Sequence, residues 1–200
     1  TWEALRCVPE GGVWALVTNA AEANGLRESA ARLTAVERPT VIQGTVAELQ
    51  DLLSFRGDSG VRFDTIIGRG AFSPARTGLA QEEMSGREHL HLAAAELSKY
   101  LKPSGILSLA ESVPLFTQRL YDLVDLSPLG ESLAKRLRSV EDAIYEAQDD
   151  PMVNWTLDDL REALALAGFE QVTLVPEPSE VDTRISAALL ARWFGQSAPG

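Results

Sequence analysis

Gly68-Arg69-Gly70-Ala71-Phe72 gathers more chemical capability into five residues than any other stretch of this 200-residue chain. Its glycines allow close backbone approach to a ligand, Arg69 is a permanent cation, and Phe72 offers a ring to cover an aromatic group. The competing reading is a turn that needs glycine, with Arg69 solvated or ion-paired. Glu111 follows a short apolar run. It serves either as a base or acceptor clamp, or as a cap for a helix beginning near Pro114, where the helix dipole favours negative charge. His89 and His91 are the only histidines. Two positions apart on a helix, they point about 200° away from each other and cannot chelate one metal, so they read as surface or interface residues. Asp149 and Asp150 specify no coordination geometry, and the single cysteine, Cys7, rules out an intrachain disulfide and a cysteine-based zinc site. No metal is expected. No G-x-x-x-x-G-K-[ST] loop occurs, so ATP chemistry of that kind is absent from these residues.

The elements that must position these groups follow from apolar periodicity. Trp2–Val8 reads as a helix broken by Gly11 and Gly12, followed by a strand at Val13–Thr18. Ala20–Leu33 is rich in helix formers, with Leu26, Ala30 and Leu33 on one face. Thr40–Gln43 is a short β-branched strand closed by Gly44, and Val46–Leu53 a short helix. Val61–Gly68 is apolar enough for a strand covered on both faces. A stretch expected to be flexible, Gly70–Gly78, leads to a long helix at Ser85–Leu101, where Leu90, Ala94, Leu97 and Leu101 repeat at three and four residues. Lys102-Pro103-Ser104-Gly105 predicts a sharp turn into a strand at Ile106–Ala110. The alternation of strand and helix predicts parallel βαβ crossovers with helices on both faces of one sheet.

The pattern then changes. Pro114–Leu126 and Leu129–Gln148 predict two helices of an insertion spanning 114–151, lying over the carboxyl ends of the strands. Thr156 is placed to N-cap a helix at Leu157–Ala167, with Asp159 near the capping-box position and Gly168 as its C-cap glycine. Glu170–Val175 predicts a strand, Val181–Ile185 a short antiparallel partner, and Ser186–Phe194 a last helix.

Composition bounds the function. The length suits a single domain over residues 1–200 that buries roughly 70% of its unfolded surface, enough to fold without a staple. Eighteen Lys and Arg face twenty-nine Asp and Glu, a net charge of −11. That field repels phosphate backbones, so direct nucleic-acid binding is not expected, while a basic partner or neighbouring domain is compatible. No apolar run approaches the ~20 residues of a membrane span and no signal peptide is visible, so a reducing, cytoplasmic setting is expected. The ends, at Thr1 and Gln196–Gly200, read as those of a piece of a larger protein.

Four local signals in order resemble the class I S-adenosylmethionine-dependent methyltransferases. Phe63-Asp64-Thr65-Ile66-Ile67-Gly68 is similar to the family's fourth strand, and Leu101-Lys102-Pro103-Ser104-Gly105-Ile106-Leu107 to its L-K-P-G-G turn and fifth strand. Leu160–Leu174, with Ala167-Gly168-Phe169, resembles the helix, A-G-F turn and sixth strand, and Pro39–Leu49 the third strand and its loop. The resemblance implies a Rossmann-like methyltransferase fold with a helical insertion after the fifth strand. It also implies a cofactor cleft at Asn19, Gly44, Thr45, Gly68, Arg69, Gly70 and Phe72, with Arg69 and Glu111 as catalytic candidates. Trp155, with Met152, either lines an acceptor pocket there or anchors the insertion to the sheet; Tyr121 and Tyr145 read as amphipathic helix residues.

The sequence departs from that family at the site. The glycine-rich loop after strand one has no match, so the first strand is expected upstream and a gap is expected at the sheet's centre. Asn19 and Thr45 stand where acids would hold the ribose and approach the adenine, and neither accepts two hydroxyls as a carboxylate does. The N-P-P-[YF] sequence of amino-directed enzymes is absent. Trp2–Ala15, Ser112–Ser127, Asp149–Trp155 and Arg192-Trp193-Phe194 further resemble an extension in some cyanobacterial proteins. There a methyltransferase-like domain follows an AAA+ ATPase similar to replication-associated recombination protein A. Two functions follow from the resemblance: a methyltransferase on an unknown acceptor, or a non-catalytic interaction module serving other domains of its parent chain.

Overall fold

The computed structural model describes residues 1–8, 10–79, 84–147, 154–177 and 186–188. The expected strand 181–185, most of the expected helix 186–194, Asp149, Asp150 and Met152 lie outside them.

Strand and helix alternate as the periodicity predicts. α1 (Trp2–Cys7) precedes β1 (Trp14–Val17), α2 (Ala20–Ala30), β2 (Thr40–Gln43), α3 (Leu49–Arg56), β3 (Phe63–Arg69), the single turn α4 (Pro74–Thr77), α5 (Gly86–Ser98) and β4 (Leu101–Ala110). Both strand pairings are parallel: β1 with β2 and β3 with β4. The chain is therefore a mixed α/β structure with parallel strands joined through helices.

The single continuous sheet is not formed. The strands make two separate two-stranded sheets, with no ladder between β1 and β3. The break falls where the resemblance leaves room for a further strand. Side chains nevertheless bridge it. Trp14 of β1 meets Phe63 of β3 edge-to-face at 5.9 Å between ring centroids. Trp14, Leu16, Phe63 and Ile66 all pack on a cluster of Ile42, Leu49, Leu53 and Tyr100. The larger cluster joins α5 to α8 (Leu157–Leu166) through Leu90, Ala93, Ala94, Leu97, Leu160, Ala163 and Leu164, with Phe72 and Trp155 among them. Trp155 thus belongs to the core that α5 and α8 share.

β3 was expected to be covered on both faces and is covered on one. Ile66, Leu107 and Leu109 pack inward, whereas Ile67 and Ile106 on the other face are 58% and 61% exposed. The expected turn at Lys102–Gly105 lies inside β4 as a detour. Leu101 pairs with Phe63 and Ile106 with Thr65, so three extra residues leave the ladder. Ser104 sits there at φ 63°. Lys102 Nζ closes the detour by donating to both carboxylate oxygens of Asp64, at 2.9 and 2.8 Å.

The helix expected at Pro114–Leu126 breaks into a 3-10 turn at Pro114–Phe116 and the short α6 (Leu120–Leu123). Glu141 restarts the helix at α6 by accepting from the Leu120 and Tyr121 amides at 2.5 and 3.1 Å. α7 (Gly130–Glu146) packs mainly on α6 and the turn at Ser127–Leu129, and contributes no residue to either core cluster. The strand expected at Glu170–Val175 is not formed. Its Val172 and Leu174 reach the core, but a cavity of about 180 Å³ stands among them, Leu107 and Leu109, and no ladder reaches β4.

Thr156 and Asp159 cap α8 reciprocally, as their spacing predicts, and Ser85 and Glu88 do the same for α5. Gly86 explains the closeness of these helices, because a Cβ there would stand 2.4 Å from the Asn154 carbonyl oxygen. Arg87 adds a link to Asp159 at 2.6 Å.

Candidate functional site

The segment after β3 is where the chain concentrates buried polar contacts. Gly70, at φ 59°, turns it out of the strand, and α4 begins on Ser73-Pro74. Two groups from distant elements hold it, and Thr77 within it joins them. Glu111, at the end of β4, accepts from the Ala71 amide at 2.7 Å and the Phe72 amide at 3.4 Å. His89, from α5, is fully buried, and its Nε2 stands 2.8 Å from the Phe72 carbonyl oxygen. A carbonyl can only accept, so Nε2 carries the proton and Nδ1 the lone pair; Nδ1 is buried with no hydrogen-bond partner among the described residues. Thr77, also fully buried, lies 3.4 Å from the same Nε2.

The electrostatics follow burial. Desolvation pushes the Glu111 carboxyl above its ordinary value, against the pull of the Ala71 and Phe72 amides and of Arg76. Desolvation holds His89 below its ordinary value, partly offset by the Phe72 bond. Glu111 therefore caps the loop after β3, not a helix at Pro114. His89 is a core histidine and not the surface residue expected. Its signal in the sequence was its place beside Leu90 and four residues before Ala93, on the buried stripe of α5.

The tip of β2 is stitched to the same segment. Val46 N donates to the Arg76 carbonyl at 3.0 Å and Ala47 N to the Thr77 carbonyl at 2.9 Å. Gly78, at φ 67°, lies so close to Thr45 that a Cβ would stand 2.5 Å from its Oγ1. Thr45 is itself engaged: its amide and hydroxyl donate to the Glu48 carboxylate at 2.8 and 2.9 Å. Gly44 lies over Leu52 and Glu48 at the same corner.

The remaining expected cleft residues scatter. Asn19 Oδ1 N-caps α2 by accepting from the Glu22 amide at 2.8 Å. Arg69 is exposed and makes no ion pair among the described residues. Gly68 abuts Leu109 on the inward face of β3. Phe72 does not lie over an open crevice; it is buried in the α5–α8 cluster. Phe72 and Glu111 do both line the 180 Å³ cavity, together with Leu160, Leu164, Phe169 and Val172. Tyr121 and Tyr145 brace the insertion, the first donating to Asp142 at 2.8 Å and the second lying under the Arg119 guanidinium at 3.5 Å. No family model matches the chain, and neither a curated protein nor a solved structure does.

Proposed function

We propose that this chain is a methyltransferase-like α/β domain that has given up cofactor chemistry and acts as an interaction module within its parent protein. The observation that carries the reading is the pair of backbone bonds from Val46 and Ala47 to Arg76 and Thr77. A nucleotide-type cofactor in such folds lies in the crevice outside the carboxyl ends of the strands. Here that ground, between the tips of β2 and β3, is spanned by the chain's own hydrogen bonds. Asn19 and Thr45, which the resemblance assigns to ribose and adenine, spend their side chains on a cap and on Glu48. S-adenosylmethionine would have to displace these backbone bonds to enter.

A partner within the parent chain, an ATPase in the more detailed resemblance, fits the net charge of −11, which suits a basic protein surface and opposes nucleic acid. Among the described residues no helix is long and apolar enough to cross a membrane.

One observation favours the enzymatic reading. Glu111 is a partly buried carboxylate with a raised pKa in the lining of a cavity of mixed polarity, a combination common at active sites. Calorimetry with S-adenosylmethionine separates the two. The module reading expects no heat up to about 1 mM ligand, whereas affinity near or below about 100 µM would restore the enzyme.

A further inference from the structure

One imidazole touches both ends of the segment after β3. His89 Nε2 stands 2.8 Å from the Phe72 carbonyl oxygen and 3.4 Å from Thr77 Oγ1. Between those two residues the backbone is tied to itself. Ser73 N donates to the Gly70 carbonyl at 3.2 Å, and the Arg76 and Thr77 amides donate to the Ser73 carbonyl at 2.9 and 3.0 Å. Residues 70–77 therefore form one hydrogen-bonded unit. Its far end closes the ground beside β2, through the Arg76 and Thr77 carbonyls that accept from Val46 and Ala47. His89 and Thr77 are both fully buried.

We infer that His89 is the latch of this unit: the neutral ring holds residues 70–77 closed, and the imidazolium releases them together with the Val46 and Ala47 bonds. The neutral ring places its N–H on Phe72 and keeps a bare lone pair at Nδ1. A proton added there is a buried charge without an acceptor among the described residues. Swinging the unit away admits water to the ring while α5 keeps its packing on α8. No neighbouring charge offsets the penalty. On α5, Glu88 is engaged by Ser85 with His91 beside it; on α8, Asp159 is engaged by Thr156 and Arg87. Arg76 in the unit and Glu111 on β4 act on each other. None of these shifts His89, whose titration responds to burial and to the Phe72 bond. The open form takes up the proton near 6.5 and the closed form only at lower pH, so closure is complete above 6.5 and weakens as pH falls. Glu111 opposes the release, because its carboxyl is protonated more readily in the closed form than in the open one.

The latch rests on the reading that these bonds close the crevice, yet the two fail separately. S-adenosylmethionine bound at neutral pH would overturn that reading, whereas the latch is tested without ligand. Amide hydrogen exchange of the chain, read by NMR with each rate divided by its intrinsic value, gives a protection factor at each pH. The protection of Val46 and Ala47, divided by that in His89→Gln, is expected to fall roughly tenfold from about pH 7 to about pH 5. Both amides are expected to stay less protected than Ala93 in α5 and Leu164 in α8 throughout, as a local opening requires. A ratio that does not change with pH overturns the proposal. So does protection of Val46 and Ala47 equal to that of Ala93 and Leu164, because release would then be global unfolding. Should His89→Gln not fold, Glu111→Gln decides the matter. With the opposing carboxyl gone and an acceptor kept for the Ala71 and Phe72 amides, the protection of Val46 and Ala47 is expected to fall roughly tenfold over the same range. Level protection there overturns the latch.

Discussion

His89 uses its one N–H on the Phe72 carbonyl and leaves Nδ1 buried without a partner, so adding a proton there would place a charge in the core with no acceptor for it. The unfolded chain takes up that proton near the ordinary imidazole value of 6.5, the folded chain only at lower pH. The stabilising contribution is therefore complete above 6.5 and is lost as pH falls towards the folded value. Glu111 works in the opposite sense, since its raised pKa makes the folded state take up a proton more readily than the unfolded one. His89→Gln keeps a donor for Phe72 and removes the titration. The melting temperature of the native chain is expected to fall relative to that variant between about pH 7 and about pH 5. A constant difference across that range would refute the assignment. Glu111→Ala leaves the Ala71 and Phe72 amides without their acceptor, and urea unfolding should register a loss of about 1–3 kcal/mol. Neither role was legible in the sequence. His89 and Glu111 act on a loop 17 and 39 residues away from them, and nothing local to either residue announces such contacts.

Helix ends were the most legible elements, because a cap is a bargain among neighbours in sequence. Thr156 and Asp159 form the reciprocal cap that their spacing suggests, and Gly168 follows α8 at φ 92°. Thr156→Ala is expected to cost about 1 kcal/mol in thermal or urea unfolding. Asp159→Ala should cost more, because the same carboxylate also receives Arg87. Burial alone would raise its pKa, but bonds from Thr156 and Arg87 bring it below the ordinary 3.8, so this stability is present at neutral pH and disappears in acid. Gly86→Ala should cost about 1–3 kcal/mol by forcing α5 away from the Asn154 carbonyl. Strands were less legible. Glu170–Val175 has the alternation of a strand, yet a strand needs a paired edge, and sequence periodicity does not say whether the edge is reached. Pro114–Leu126 failed for a related reason: its helix is restarted at Leu120 by Glu141, a residue outside the segment.

At the scale of the molecule, the order of strands and helices as far as Ala110 and the parallel sense of the strands could be read in advance, whereas the continuity of the sheet depends on backbone partners that no single segment specifies. The structure unites its two strand pairs through side chains such as Trp14 and Phe63 rather than through a ladder. Native-state hydrogen exchange should reflect this. Amides of α5 and α8, at the densest packing, are expected to be the slowest, and those of β1 and β2 to exchange well before them. Uniform protection of all four strands at the level of α5 would contradict the separation. The bare side of β3 and β4, with Ile67 and Ile106 turned outward, has a practical corollary at the bench. A hydrophobic fluorophore of the kind used in dye-based melting assays would find a greasy landing place on the native protein. Such assays would start bright and give shallow or inverted transitions, so the thermal measurements called for above belong to ellipticity or calorimetry.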